Sequence, residues 1–242
     1  MKSIHVLTIV SLLGYNAFAA EHAAPGPKAA KAQAHTVAPA PSGHVTEPVK
    51  TGPTPDEAIK KLISGNQRYV SATMSHERQT VERRGEMSQG QKPFAIIVSC
   101  SDSRVPPEVI FDQGIGDLFV VRSAGEVVTE VGVGSIEYAV EHLGAPLIMV
   151  LGHERCGAVK ATADGGEAPG SIGSICRLIQ PAVDKAKGQS GDLVDNAVRN
   201  NISLVAGTIA SSPIVRKAIE EGKVKVVKAY YDLDEGTVKP VQ

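Results

Sequence analysis

The 242-residue chain has no tryptophan, three cysteines and 4% aromatic residues. Three cysteines are too few for the disulfide framework that staples small secreted domains. A chain of this length has room for a sizeable core without one. Neither sign of charge dominates: 25 Lys and Arg face 26 Asp and Glu, for a net charge of -1. That balance removes the basic footprint of a nucleic-acid binder. Beyond the first twenty residues, no apolar run approaches the ~20 residues needed to span a bilayer. A small molecule is the class of partner left.

The N-terminus is the one region with an export pattern. Lys2 precedes an apolar run over residues 4–13, and Ala17 and Ala19 flank Phe18. The run is about half of a membrane span, so residues 1–20 read as a cleaved secretory signal rather than an anchor. The mature protein is then expected to be soluble and periplasmic, with no membrane attachment after cleavage. Residues 21–53 are mostly Ala, Pro, Lys, Gly and Thr, and read as a disordered linker. Its histidines, His22, His35 and His44, match no ligand spacing and are expected to be solvated. Residues 54–242 are expected to form the folded catalytic domain.

Two stretches carry chemistry. Cys100, Asp102 and Arg104 follow the apolar run 94–99, and His153 and Cys156 follow the apolar run 147–152. Each group is placed at the carboxyl end of a buried strand, where open α/β sheets hold their sites. Two thiolates and one imidazole are three protein ligands, and zinc with three protein ligands and one open position is the catalytic arrangement. Asp102 and Arg104, two apart on an extended segment, are expected on one face as a charge-assisted pair. An Asp held by Arg stays ionised and acceptor-only, able to orient a hydroxide on the zinc.

These residues resemble the β-class carbonic anhydrases. The family's Cys-x-Asp-x-Arg pattern is present as Cys100, Asp102 and Arg104, and its Gly-His-x-x-Cys-Gly pattern as Gly152, His153, Cys156 and Gly157. Similarity extends through Phe119 to Arg122, Gly134 to Tyr138 and Tyr231 to Asp234. The resemblance implies a zinc enzyme that interconverts carbon dioxide and bicarbonate, with Cys100, His153 and Cys156 on the metal and Asp102 and Arg104 as a catalytic dyad. It also implies that Gln91 hydrogen-bonds substrate and that Phe119 and Tyr138 line the pocket, partly across a homodimer interface; pairing of dimers into a tetramer is left open. Where one subgroup has a Trp of an inhibitory bicarbonate site, three residues before the first cysteine, this chain has Ile97. An open site is therefore expected. Two departures stand out. The usual Arg-Asn-Ala-Gly-Asn is Arg122-Ser123-Ala124-Gly125-Glu126 here, and Glu154 follows the histidine where Ser or Thr is common.

For the fold, strands at 94–99, 118–122 and 147–152 alternate with a helix at 132–143, which predicts an α/β protein with a mostly parallel sheet flanked by helices. Thr54, Pro55 and Glu57 open a helix running to about Val70, with Ile59, Leu62 and Ile63 on its apolar face. Residues 161–173, rich in Gly and Ala, read as an exposed loop. Helices are expected at 175–187, 192–211 and 214–221, and a strand near the sheet edge at 224–233, with 238–241 pairing after a turn.

Two other readings compete. In an oxidising compartment Cys100 and Cys156 could form a disulfide, leaving Cys176 as a buried thiol, in a domain with no metal. A noncatalytic zinc-binding relative would be expected to lack the dyad, which is present here. Two thiolates put more negative charge on the metal than three imidazoles, so activity is expected to rise on the alkaline side.

Overall fold

The computed structural model describes residues 52–241. The signal reading and nearly all of the linker reading lie outside the described residues. The folded part opens as its capping residues dictate. Thr54 Oγ1 accepts the Glu57 backbone N–H at 3.3 Å, and Glu57 Oε2 accepts the Thr54 N–H at 2.7 Å. This reciprocal box starts α1 (Pro55–Val70). Its buried face runs through Ala58, Leu62, Gly65 and Asn66, while Ile63 is 48% exposed. The expected face is rotated because Gly65 sits against the turn after α3, where a Cβ would meet the Phe111 carbonyl.

Then follow α2 (Val81–Met87), β1 (Ala95–Cys100), the short α3 (Pro107–Ile110), β2 (Leu118–Ser123), a 3-10 turn (Ala124–Glu126) and α4 (Glu130–Glu141). After β3 (Leu147–His153) come α5 (Gly157–Asp164), α6 (Ile172–Ala186), α7 (Leu193–Ser211), α8 (Pro213–Glu220), β4 (Lys225–Tyr231) and β5 (Val238–Pro240). The expected loop at 161–173 is corrected in its first part, because Ala161 to Asp164 complete α5. Thr162 and Val159 are buried there, and that burial holds a helix which composition alone would not.

The five strands lie in the order β2-β1-β3-β4-β5, parallel except for β5, which runs antiparallel to β4. Alternation along β1 and β3 divides the core between the two faces. Ile96, Val98, Ile148 and Val150 pack with Ile179 and Ile202 on one side. Ala95, Ile97, Leu147, Met149 and Leu151 pack with Leu62, Ile110 and Phe111 on the other. Asn66 ties α1 to the C-terminal hairpin: its Nδ2 donates to the Gly236 carbonyl at 2.9 Å and its Oδ1 accepts the Val238 N–H at 2.9 Å. Among the described residues no single helix is long and apolar enough to cross a membrane.

Candidate metal centre

Cys100 is the last residue of β1 and His153 the last of β3, and these strands are parallel neighbours. The chain passes from β1 to β2 on one side and to β3 on the other. Their carboxyl ends therefore meet where the strand order reverses, the place where open α/β sheets bind ligands. Cys156 arrives from the same end through a tight turn. Arg155 adopts a left-handed φ of 51° there, and its guanidinium is fixed by Asp234 at 2.7 and 2.9 Å. Cys156 is then the N-cap of α5.

The ligand atoms of Cys100, His153 and Cys156 all lie within 4.8 Å of one another, and all three residues are buried. The two Sγ atoms are 4.0 Å apart and both thiols are free, so the disulfide reading is not what the fold holds. Cys176, the third thiol, is half-buried rather than fully buried. His153 Nδ1 lies 2.8 Å from the Glu154 carbonyl, which orients the ring. Its Nε2 is buried without a hydrogen-bond partner. The hydrogen bond from Cys156 pulls the Cys100 thiol down to about 4 despite burial. The same contact, with burial, pushes Cys156 far above the ordinary thiol range. Ionisation of one thiol opposes ionisation of the other, and a bound cation would offset that repulsion. An orphaned buried imidazole nitrogen beside two such thiols fits a soft divalent metal, with His and Cys as its donors.

Asp102 and Arg104 are brought to this centre, but not on an extended segment as expected. The chain turns here: the Val105 N–H donates to the Asp102 carbonyl at 3.0 Å, and the Arg104 N–H donates to Asp102 Oδ1 at 2.9 Å. Within that turn Arg104 Nε and Nη2 donate to Oδ1 and Oδ2 at 2.9 and 2.7 Å, a bidentate pair. The Arg104 guanidinium holds the Asp102 carboxyl far below the usual carboxylate range. Asp102 Oδ2 is 3.8 Å from His153 Nε2, so an ionised acceptor faces the orphaned nitrogen.

Several supporting residues carry no signal of their role in the sequence. Arg122, which the sequence offers only as part of a family-like string, donates to the carbonyls of Cys100 and Asp102 at 2.9 and 2.6 Å and braces the turn. Gly125 donates its N–H to Cys100 Sγ at 3.2 Å. Glu126 and Asn201 are both fully buried, and burial pushes the Glu126 carboxyl up to about 7. Asn201 is the exception, since it interrupts a helix face otherwise made of Ala197, Val198, Ile202 and Val205.

The residues expected to touch substrate are spread out. Phe119, on β2, packs against the apolar cluster that includes Cys100 and Cys156. Gln91 is exposed in the segment before β1. Tyr138 is 49% exposed on α4, its ring 5.1 Å from that of His142. A second acidic group, Glu154, Asp232 and Asp234, is already engaged by Arg155 and backbone N–H groups.

Two buried thiols, an imidazole and an Arg-held carboxylate at a parallel-sheet switch point define an α/β enzyme whose site is fit to hold a metal. Comparison with known proteins narrows that class. Residues 95–238 match the family model described as carbonic anhydrase. "Carbonic anhydrase 2" of Mycobacterium tuberculosis is 41% identical over 187 residues, 75% of this chain and 90% of that protein. The Coccomyxa β-carbonic anhydrase, solved with acetazolamide, superposes with a TM-score of 0.60 at 25% identity, covering 76% of this chain and 86% of that one. A β-carbonic anhydrase of Sordaria macrospora, described as tetrameric, shares the fold with a TM-score of 0.62 at 22% identity, over 76% of this chain and 97% of that one. The chain belongs to the carbonic anhydrase family, and within it to the β class. Its reaction is the reversible hydration of carbon dioxide to bicarbonate and a proton.

Proposed function

We propose that the metal is zinc, held by Cys100, His153 and Cys156, and that Asp102 and Arg104 form the catalytic dyad. The observation that carries this is the buried, unpartnered His153 Nε2, grouped with two free thiols and 3.8 Å from Asp102 Oδ2. Zinc bound there would supply the acidified water that hydration requires. The chain's own residues do the rest. Asp102, kept ionised by two guanidinium hydrogen bonds, would accept a hydrogen bond from a group held at the metal's open position and so orient that group's lone pair towards the substrate carbon. Arg104 keeps that carboxylate from swinging onto the metal, so the site is in its open form. Arg122 fixes the backbone from which both project. The Glu154 carbonyl holds the imidazole with Nε2 inward.

Gln91 is assigned to the substrate oxygen, and Phe119 and Tyr138 to the apolar wall of the pocket. The exposure of Tyr138 and Gln91 within one chain favours a homodimer in which a second subunit closes the pocket, with a tetramer as the further assembly. Residues 1–20 are assigned as a signal that directs the chain to the periplasm.

The test is stopped-flow carbon dioxide hydration with zinc content determined on the same sample and Asp102→Ala beside it. About one zinc per chain, with turnover reduced about 100-fold in the variant, is expected for a dyad that orients the reacting group. Zinc without turnover in the parent would leave a noncatalytic relative. An unprocessed chain that stays out of periplasmic extracts would sink the export reading alone.

A further inference from the structure

The proposed centre leaves one buried acid at its edge without a task. Glu126 has no solvent exposure and its backbone has a left-handed φ of 43°. A residue with a Cβ costs about 1–2 kcal/mol in that conformation. Such strain persists where the surroundings over-determine it, often at functional sites. Here the surroundings are specific. Asn201, from the middle of α7, donates through Nδ2 to Glu126 Oε1 and to the Gly125 carbonyl, each at 2.8 Å. Gly125 donates its own N–H to Cys100 Sγ at 3.2 Å. It has a φ of 70°, and a Cβ on it would lie 2.7 Å from Ile179 Cδ1, so both its conformation and its surroundings restrict where that N–H points.

We infer that Glu126 and Asn201 are a positioning pair for the metal centre: together they hold the Gly125 amide against Cys100 Sγ and so set how strongly that thiolate donates to the metal. An N–H donor on a ligating sulfur draws charge from it, and partners one shell out tune metal affinity by about 10–100-fold. The neutral carboxyl suits the place better than the anion. It adds no third negative charge beside two thiols, and it carries a donor where Glu126 Oε2 and Asn201 Oδ1 are buried without partners. The inference rests on Cys100 being a metal ligand.

The experiment loads the full chain with cobalt(II) and reads the thiolate-to-cobalt charge-transfer absorption. Zinc affinity by chelator competition and the melting temperature are measured in parallel. Asn201→Ala and Glu126→Leu are expected to shift the absorption and weaken zinc about 10–100-fold. Glu126→Gln, neutral and of the same length, is expected to keep both close to those of the parent. Glu126→Leu preserves volume, so it decides the matter should Asn201→Ala fail to fold. A Glu126→Leu protein that melts lower yet keeps the parent's absorption and zinc affinity would show that the pair only packs, and would overturn the inference. A parent without thiolate-to-cobalt absorption would instead bring down the metal reading itself, and this inference with it.

Discussion

Two buried acids, Asp112 and Glu126, share a left-handed φ. Asp112, just past α3, has φ 45° and is 2% exposed; Glu126, ending the 3-10 turn, has φ 43° and is not exposed at all. Asp112 receives the Arg68 Nε, the backbone N–H groups of Ser75 and His76, and the Ser75 hydroxyl. Burial pulls its pKa up, but these donors win and hold it at about 2. Glu126 receives Asn201 alone, and burial, with Cys100 nearby, takes it to about 7. Burial and the sign of φ are matched, so what differs is the supply of donors. One acid is an anion that organises a loop; the other, raised by burial, keeps its proton further towards neutral pH beside the candidate metal centre.

Deletion should separate them most. Asp112→Ala strands a guanidinium and two backbone N–H groups, and should lower stability at pH 7 by about 3–4 kcal/mol in urea unfolding. Glu126→Gln, isosteric with the neutral acid, should change stability by less than about 1 kcal/mol. Equal losses would end the contrast. The pH dependence should differ in sign. With metal chelated, the folded protein keeps a proton on Glu126 between pH 4.5 and 7 that the unfolded chain has released. Stability should therefore fall with rising pH across that window, by about 3 kcal/mol, and Glu126→Gln should flatten the slope.

Asp112 behaves oppositely. Its folded carboxyl stays ionised as pH drops below the ordinary 3.8, where the unfolded chain takes up a proton. Its contribution should be complete above about pH 4 and lost towards pH 2, about 2 kcal/mol in all, and Asp112→Asn should abolish that loss. The smallest effect on stability is expected at the third carboxylate. Asp102 and Arg104 pair with side chains 17% and 52% exposed, so Arg104→Ala should cost only about 0–1 kcal/mol. Its kcat/KM should nonetheless fall about 100-fold. A large stability loss there would mean that the dyad is structural.

The clustering of Cys100, His153 and Cys156 was legible because groups that could share one metal come from few places, here the ends of β1 and β3 and the turn just after β3. The strands were legible from runs of β-branched residues, and the first helix from its capping box. Regions where tertiary contact decides were not. Ala161 to Asp164 have the composition of a loop and are helical through burial of Val159 and Thr162. Ile63 has the periodicity of a core residue and points outward because Gly65 lets α1 approach Phe111 elsewhere. Asp102 and Arg104 were expected to meet on an extended segment, and they meet across a turn that Arg122 braces. Glu126 was visible only as a departure from a family pattern. Its partner is 75 residues away, and local spacing carries no trace of it.

The margin formed by β5 has a consequence for crowding. A bare strand edge is a template on which another chain can add and keep adding. Here the edge strand is three residues long, Val238 to Pro240, and is pinned to α1 through Asn66. Pro240 has no N–H to offer, and Lys239 places a charge beside it. Filament growth by strand addition is therefore disfavoured along this side of the sheet.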